Sequence, residues 1–92
     1  MNSEARNGTL YISGEVTVKT LTDAAYTRFQ EQCRLKEVVA LDFSAVSRAD
    51  SACVSLLLTA LRLKNHTLEW HHLPESVRAL AGLYEINDWL NP

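Results

Sequence analysis

The spacing of hydrophobic positions alternates along this chain between the period of a strand and that of a helix. Leu10, Ile12 and Val16 alternate with more polar neighbours, which predicts a strand over residues 9–16. Gly14 marks a bulge or a turn, and the β-branched run Val16-Thr17-Val18 extends or re-enters the sheet. Leu21, Ala24, Ala25, Phe29 and Cys33 then recur at helical spacing, with Thr20 or Thr22 as N-cap and Asp23 at the positive end of the helix. Val38 to Phe43 is an apolar run interrupted only by Asp42, the pattern of a central strand covered on both faces or nearly so. Residues 44–49 read as a connecting loop.

A second helix is predicted from about Ser51 to about Lys64, with Val54, Leu57, Leu58 and Leu61 at i, i+3, i+4 and i+7 as its core stripe. A weaker stripe runs beside it through Ala52, Leu56, Thr59 or Ala60, and Leu63. That stripe either widens the buried face or forms an exposed apolar patch. The second reading is preferred at Leu56, with Arg62 and Lys64 as a polar rim. Asn65 is placed to close the helix in a left-handed cap. Residues 67–73 read as a strand with Leu68, Trp70 and His72 on one face. Pro74 opens a third helix whose inner face is Val77, Leu80, Ala81 and Tyr84, with Gly82 near its end. Ile86, Trp89 and Leu90 form a last apolar segment, a strand or short turn closing the core. Residues 1–7 are polar and are expected to be a flexible tail outside a single domain of residues 8–92. Strands alternating with helices predict an α/β fold, a mixed sheet of about four to five strands with about three to four helices, joined by right-handed crossovers.

Composition narrows the function classes. The chain has 92 residues, 47% hydrophobic and 22% charged, enough for one domain with a single core. A net charge of −2 gives no basic footprint for nucleic acid or anionic lipid. The opening residues lack the apolar core of a signal peptide, and the weakly polar run from Ala52 to Leu61 is about half of what spans a bilayer, so a cytoplasmic location is expected. Cys33 and Cys53 both fall in apolar helical patterns and read as reduced and buried.

Catalytic chemistry finds little support. The chain's glycines are Gly8, Gly14 and Gly82, which allows neither a Walker-type loop nor a Gly-x-Gly-x-x-Gly turn. Ser51 lacks the Gly-x-Ser-x-Gly elbow of a hydrolase nucleophile. His66, His71 and His72 with the two cysteines show no metal-ligand spacing, and adjacent His71 and His72 would face opposite sides of a strand. No catalytic residue, metal, cofactor or small-molecule substrate is therefore expected. Asp42 reads as a carboxylate that binds backbone N–H groups. Asp50 either sets a turn or contacts a partner. Ser51 is placed as an N-cap, as a partner contact, or as both.

The stretch Leu41-Asp42-Phe43-Ser44-Ala45-Val46-Ser47-Arg48-Ala49-Asp50-Ser51, followed by the apolar helix, resembles the STAS domain of sulfate transporters and anti-sigma factor antagonists. Leu10-Tyr11-Ile12-Ser13-Gly14-Glu15-Val16 is similar to the family's opening strand, and residues 73–80 and 83–86 to its third helix and ending. Within the family, the short stand-alone form resembles the small cytoplasmic subunit of the Mla phospholipid transporter. That resemblance implies a non-catalytic accessory subunit of a bacterial ABC transporter. It would bind the transporter's ATPase, and through it the permease, peripheral to the inner membrane, without entering the bilayer. It implies contact at the Ser51 end of the second helix, with Asp50, Ser51, Ala52, Leu56 and Arg62 as the contact residues. The other branch of the family implies an anti-sigma factor antagonist phosphorylated at Ser51. The family commonly has Gly two positions after this Ser, where this chain has Cys53; the added side chain is expected to hinder close docking of a kinase.

Overall fold

The computed structural model describes residues 1–64 and 68–83, with side chains as far as residue 79. It opens on a hairpin. Strands β1 (Asn2–Arg6) and β2 (Thr9–Val16) are antiparallel, with Arg6 opposite Thr9, so only Asn7 and Gly8 make the turn. Both turn residues hold positive φ, 49° and 82°. That is the type I′ pattern, whose twist suits a two-residue hairpin and which Asn-Gly adopts at little cost. Gly8 also lies against the turn that precedes the next strand: a Cβ there would sit 3.0 Å from the carbonyl oxygen of Glu37. The opening residues, expected as a tail, are thus an edge strand of the sheet. Ser3 is buried and exchanges hydrogen bonds with Gln32 of the first helix.

Helix α1 (Asp23–Cys33) is capped by Thr22, whose hydroxyl accepts the Ala25 N–H at 3.2 Å. Phe29 and Cys33 are its buried residues, while Ala24 is exposed, so its inner face is narrower than expected. Strand β3 (Ala40–Ala49) runs parallel to β2 and is longer than predicted. Residues 44–49, expected as a loop, continue the strand. Tyr11 pairs with Asp42 but Ser13 with Ala45, and Gly14 pairs with Val46 but Glu15 with Arg48, so β3 carries an extra residue at each of two bulges. Such bulges break the alternation that marks a strand in sequence, and Ser44, Ala45, Ser47 and Arg48 are exposed. Helix α2 (Ser51–Leu63) follows, then the short strand β4 (Glu69–His71), parallel to β3, and helix α3 (Glu75–Leu83). His72 has left the strand, with φ 57°, and Pro74 stands just before α3, its carbonyl accepting the Val77 and Arg78 N–H groups. The expected left-handed cap at Asn65, the inner-face roles of Leu80, Ala81 and Tyr84, and the closing segment with Ile86, Trp89 and Leu90 lie outside the described residues or side chains.

Sheet order is β1-β2-β3-β4, and the fold is a single α/β domain with a mixed sheet, as expected. The two parallel crossovers step in the same direction along the sheet. With right-handed connections, α1 and α2 therefore cover the same face. Leu10, Ile12, Val16, Leu41 and Phe43 on that face join Phe29, Val54, Leu57, Leu61 and Val77 in one core cluster. On the opposite face Glu4, Tyr11, Asp42 and His71 form a cross-strand row. The Arg6 guanidinium stacks over the Tyr11 ring there, 4.5 Å from its centre. Tyr26 of α1 and Thr59 of α2 join their hydroxyls at 2.7 Å, satisfying a polar group in an otherwise apolar helix contact. Among the described residues, no helix is long and apolar enough to cross a membrane.

Candidate functional site

Parallel strands deliver their carboxyl ends to one edge of an α/β sheet, where ligands and partners commonly bind. Here β2 ends at Val16 and β3 at Ala49, directly opposite each other, and α2 starts beside both. Asp50 joins them. Its N–H donates to the Val16 carbonyl at 3.2 Å, continuing the sheet by one bond. Its side chain then works in two directions. Oδ1 accepts the Ala52 N–H at 2.8 Å, which caps α2, and Oδ2 accepts the Val18 N–H at 3.2 Å, which ties down the loop after β2. Asp50, not Ser51, is therefore the N-cap: its backbone is extended and Ser51 is the first helical residue. A carboxylate at this position also faces the positive end of the helix.

The loop after β2 is held by a second polar residue. Thr20 accepts the Thr17 N–H at 2.9 Å and donates its hydroxyl to the Glu15 carbonyl at 2.7 Å. With its backbone so constrained, the loop presents Val18 outward, 70% exposed. Glu15, residues 17–19 and residues 48–50 line an open depression at this edge.

The sequence-predicted contact residues separate in space. Asp50 is half-buried and Ser51 exposed, side by side at the mouth of the site. Leu56 has no exposed surface and belongs to the core, so the expected apolar patch does not exist there. Ala52 is 7% exposed and likewise faces inward. The physical reason is that α2 is packed against α1 and α3 as well as the sheet core: Thr59 of the second stripe bonds Tyr26 of α1, and Ser51, Ser55 and Arg62 are the residues left exposed along the helix. Arg62 is exposed but sits in the last turn of α2, about 16 Å along the axis from Ser51 at 1.5 Å per residue. It shares the exposed face of α2 with Ser51 and Ser55, at the far end of the helix.

Cys53 is also fully buried, among the core residues. Its side chain points away from Ser51, so the expected obstruction to docking there is absent. Burial pushes both thiols up, Cys33 and Cys53 alike to about 12, a nearby Lys64 charge pulling slightly the other way on Cys33 and Asp50 adding to the rise on Cys53. Thiols held protonated in this way are poor nucleophiles and poor metal ligands. Both cysteines are free. Asp42 binds its neighbour as expected, accepting the Ser44 N–H at 2.8 Å and the Ser44 hydroxyl at 2.6 Å. Burial alone would raise its pKa, but these two bonds and the electrostatic influence of the neighbouring His72 and His71 leave it below the usual aspartate value. No cluster of three or more His, Cys, Asp or Glu side chains able to hold a metal forms among the described residues.

Sequence reasoning missed Val18, Lys19 and Arg48 at this edge. Val18 reads there as continued strand, because a β-branched run carries no mark of where the chain turns. The rule that the loops after neighbouring parallel strands share one edge would have brought these residues to Ser51.

No curated protein matches the chain. A protein-family profile described as "Mlab, STAS domain" matches residues 1–92. The described sheet order and helix placement agree with that match over the strand-turn-helix unit from β3 into α2 and over the hairpin before it. The chain belongs to the STAS-domain family, of the Mlab type.

Proposed function

We propose that this protein is a non-catalytic accessory subunit that binds the cytoplasmic ATPase of a bacterial ABC transporter for phospholipid trafficking, through the Ser51 end of α2. The observation that carries this reading is the pairing of an exposed Ser51 with a rigidly capped helix start, at the carboxyl edge of the sheet, in a chain matched by the Mlab family. STAS domains are generally binding or regulatory domains, which fits a subunit that works by contact. In this role the protein sits at the cytoplasmic side of the inner membrane, held there by the ATPase and permease.

The test is co-purification of the tagged chain with the ATPase and permease of the Mla-type transporter from the same organism. Ser51→Glu places a charge on the exposed first residue of α2, where the helix dipole tolerates it. The variant is expected to keep the wild-type melting temperature and to lose the ATPase. Retention of the ATPase at wild-type levels by Ser51→Glu sinks the assignment of this edge.

A second reading is favoured by the inward position of Cys53, which leaves Ser51 open to a kinase: an anti-sigma factor antagonist controlled by phosphorylation of Ser51. Intact-mass measurement after incubation with the kinase of an anti-sigma pair from the same organism tests it. An unchanged mass counts against it.

A further inference from the structure

We infer that the loop after β2 forms the second half of the partner surface, with Val18 as an apolar anchor between the cations Lys19 and Arg48, and that it fits a carboxylate-bearing protein segment. The inference rests on the proposed contact at Ser51 and names the chemistry of what docks beside it.

Val18 is the most exposed of the large hydrophobic residues described, at 70% against 57% for Val39 and 40% for Leu35. It is not exposed through slackness. Its own N–H is fixed by Asp50, and its neighbour Thr17 is fixed by Thr20. A hydrophobic side chain held outward on a pinned backbone loses little entropy when a partner covers it. Lys19 follows it in sequence, and Arg48 lies on the adjacent strand end, both exposed and both on the wall of the same depression.

The charges at this edge are not balanced by contacts. Neither Lys19 nor Arg48 forms an ion pair within the described residues. Both oxygens of Asp50 are engaged by backbone N–H groups. Glu15 is the remaining carboxylate, placed opposite Arg48 in the strand register yet not within ion-pair distance of it. The edge therefore offers two cations without an ion pair on the wall that also carries Val18, with the Asp50 carboxylate held by its two N–H donors and Glu15 unpaired. An acidic segment with an apolar residue between its carboxylates complements that arrangement; a basic segment would meet Lys19 and Arg48 as like charges, and nucleic acid offers no apolar side chain to cover the anchor.

The experiment measures the affinity of the purified chain for the ATPase of the Mla-type transporter from the same organism, at low and at moderate salt. The variants are the double charge reversal Lys19→Glu/Arg48→Glu, Val18→Ser, Glu15→Gln and Ser51→Glu. All of these side chains are exposed, and melting curves confirm that each variant is folded. The reversal is expected to weaken binding about tenfold or more, and wild-type affinity to fall with salt. Val18→Ser is expected to weaken it about fivefold or more, and Glu15→Gln to leave binding unchanged or tighter. If Ser51→Glu abolishes binding while the reversal and Val18→Ser stay within about twofold of wild type, the Ser51 contact stands and the loop is not part of it. Weaker binding by Glu15→Gln, or tighter binding by the reversal, overturns the acidic-partner assignment in the same way. If the wild-type chain does not bind the ATPase, or Ser51→Glu binds as tightly as wild type, the functional reading falls and the inference with it.

Discussion

Asp50 makes the geometry of the site depend on one carboxylate, and the dependence can be measured. Replacing it with Ala removes the cap on Ala52 N–H and the tether on Val18 N–H together. Loss of an N-cap costs about 0.5–2 kcal/mol. A second intramolecular hydrogen bond contributes about 0.5–1.5 kcal/mol, toward the low end here because the Val18 bond is exposed and 3.2 Å long. Asp50→Ala should therefore cost roughly 1–3 kcal/mol, a sizeable share of the roughly 5–15 kcal/mol typical of a domain. Asn keeps one carbonyl oxygen and caps helices about as well as Asp. Asp50→Asn should then retain the bond to Ala52 and lose the one to Val18, at a cost of about 0.5–1 kcal/mol. Urea unfolding followed by circular dichroism gives the two costs. Amide exchange separates their origins: Val18 should lose protection in both variants, Ala52 only in Asp50→Ala. Equal costs for the two variants, or a Val18 amide that stays protected in Asp50→Asn, would refute the two-handed role of this side chain.

Two further outcomes follow from burial. Leu56→Ala should destabilise by about 2–5 kcal/mol in the same unfolding assay, because a fully buried leucine leaves a cavity as well as lost contact; a cost under about 0.5 kcal/mol, normal for an exposed site, would restore the surface-patch reading. The two thiols should make the fold sensitive to alkali. Their folded pKa values, about 12, lie above the ordinary thiol value of 9.0, so the unfolded chain gives up these protons first. Their contribution is intact below about pH 9 and is lost as pH rises through about 12. The urea midpoint of the wild type should fall more between about pH 8 and pH 10 than that of Cys33→Ala/Cys53→Ala, and equal falls would show that the thiols do not cause it.

Much of the architecture was legible because local chemistry and tertiary packing agree. The strand over residues 9–16, a threonine cap at Thr20 or Thr22 (Thr22 in the structure) and the limits of α2 follow from alternation, capping chemistry and helical period, each of which a short window contains. The first strand was missed: its polar residues read as a tail, and the Asn7-Gly8 turn that marks the hairpin was not used; an edge strand with one open face carries few hydrophobic residues to announce it. The far half of β3 was hidden for a different reason, since two bulges erase the period by which a strand is recognised.

The site divides in the same way. Sequence by itself determined that a polar pair, Asp50 and Ser51, begins the most hydrophobic helix, because capping and helix initiation are decided within a few residues. It could not determine that the capping carboxylate also tethers the loop after β2, since that depends on a hydrogen bond to Val18, 32 residues away in the chain. Nor could it decide the second stripe of α2. Whether Leu56 faces solvent or core depends on what packs around α2, and α1, α3 and the sheet strands that do so come from other segments of the chain. Tertiary structure placed Val18 and Lys19 beside Arg48 and Asp50, because the parallel pairing of β2 with β3 brings their two ends to a common edge.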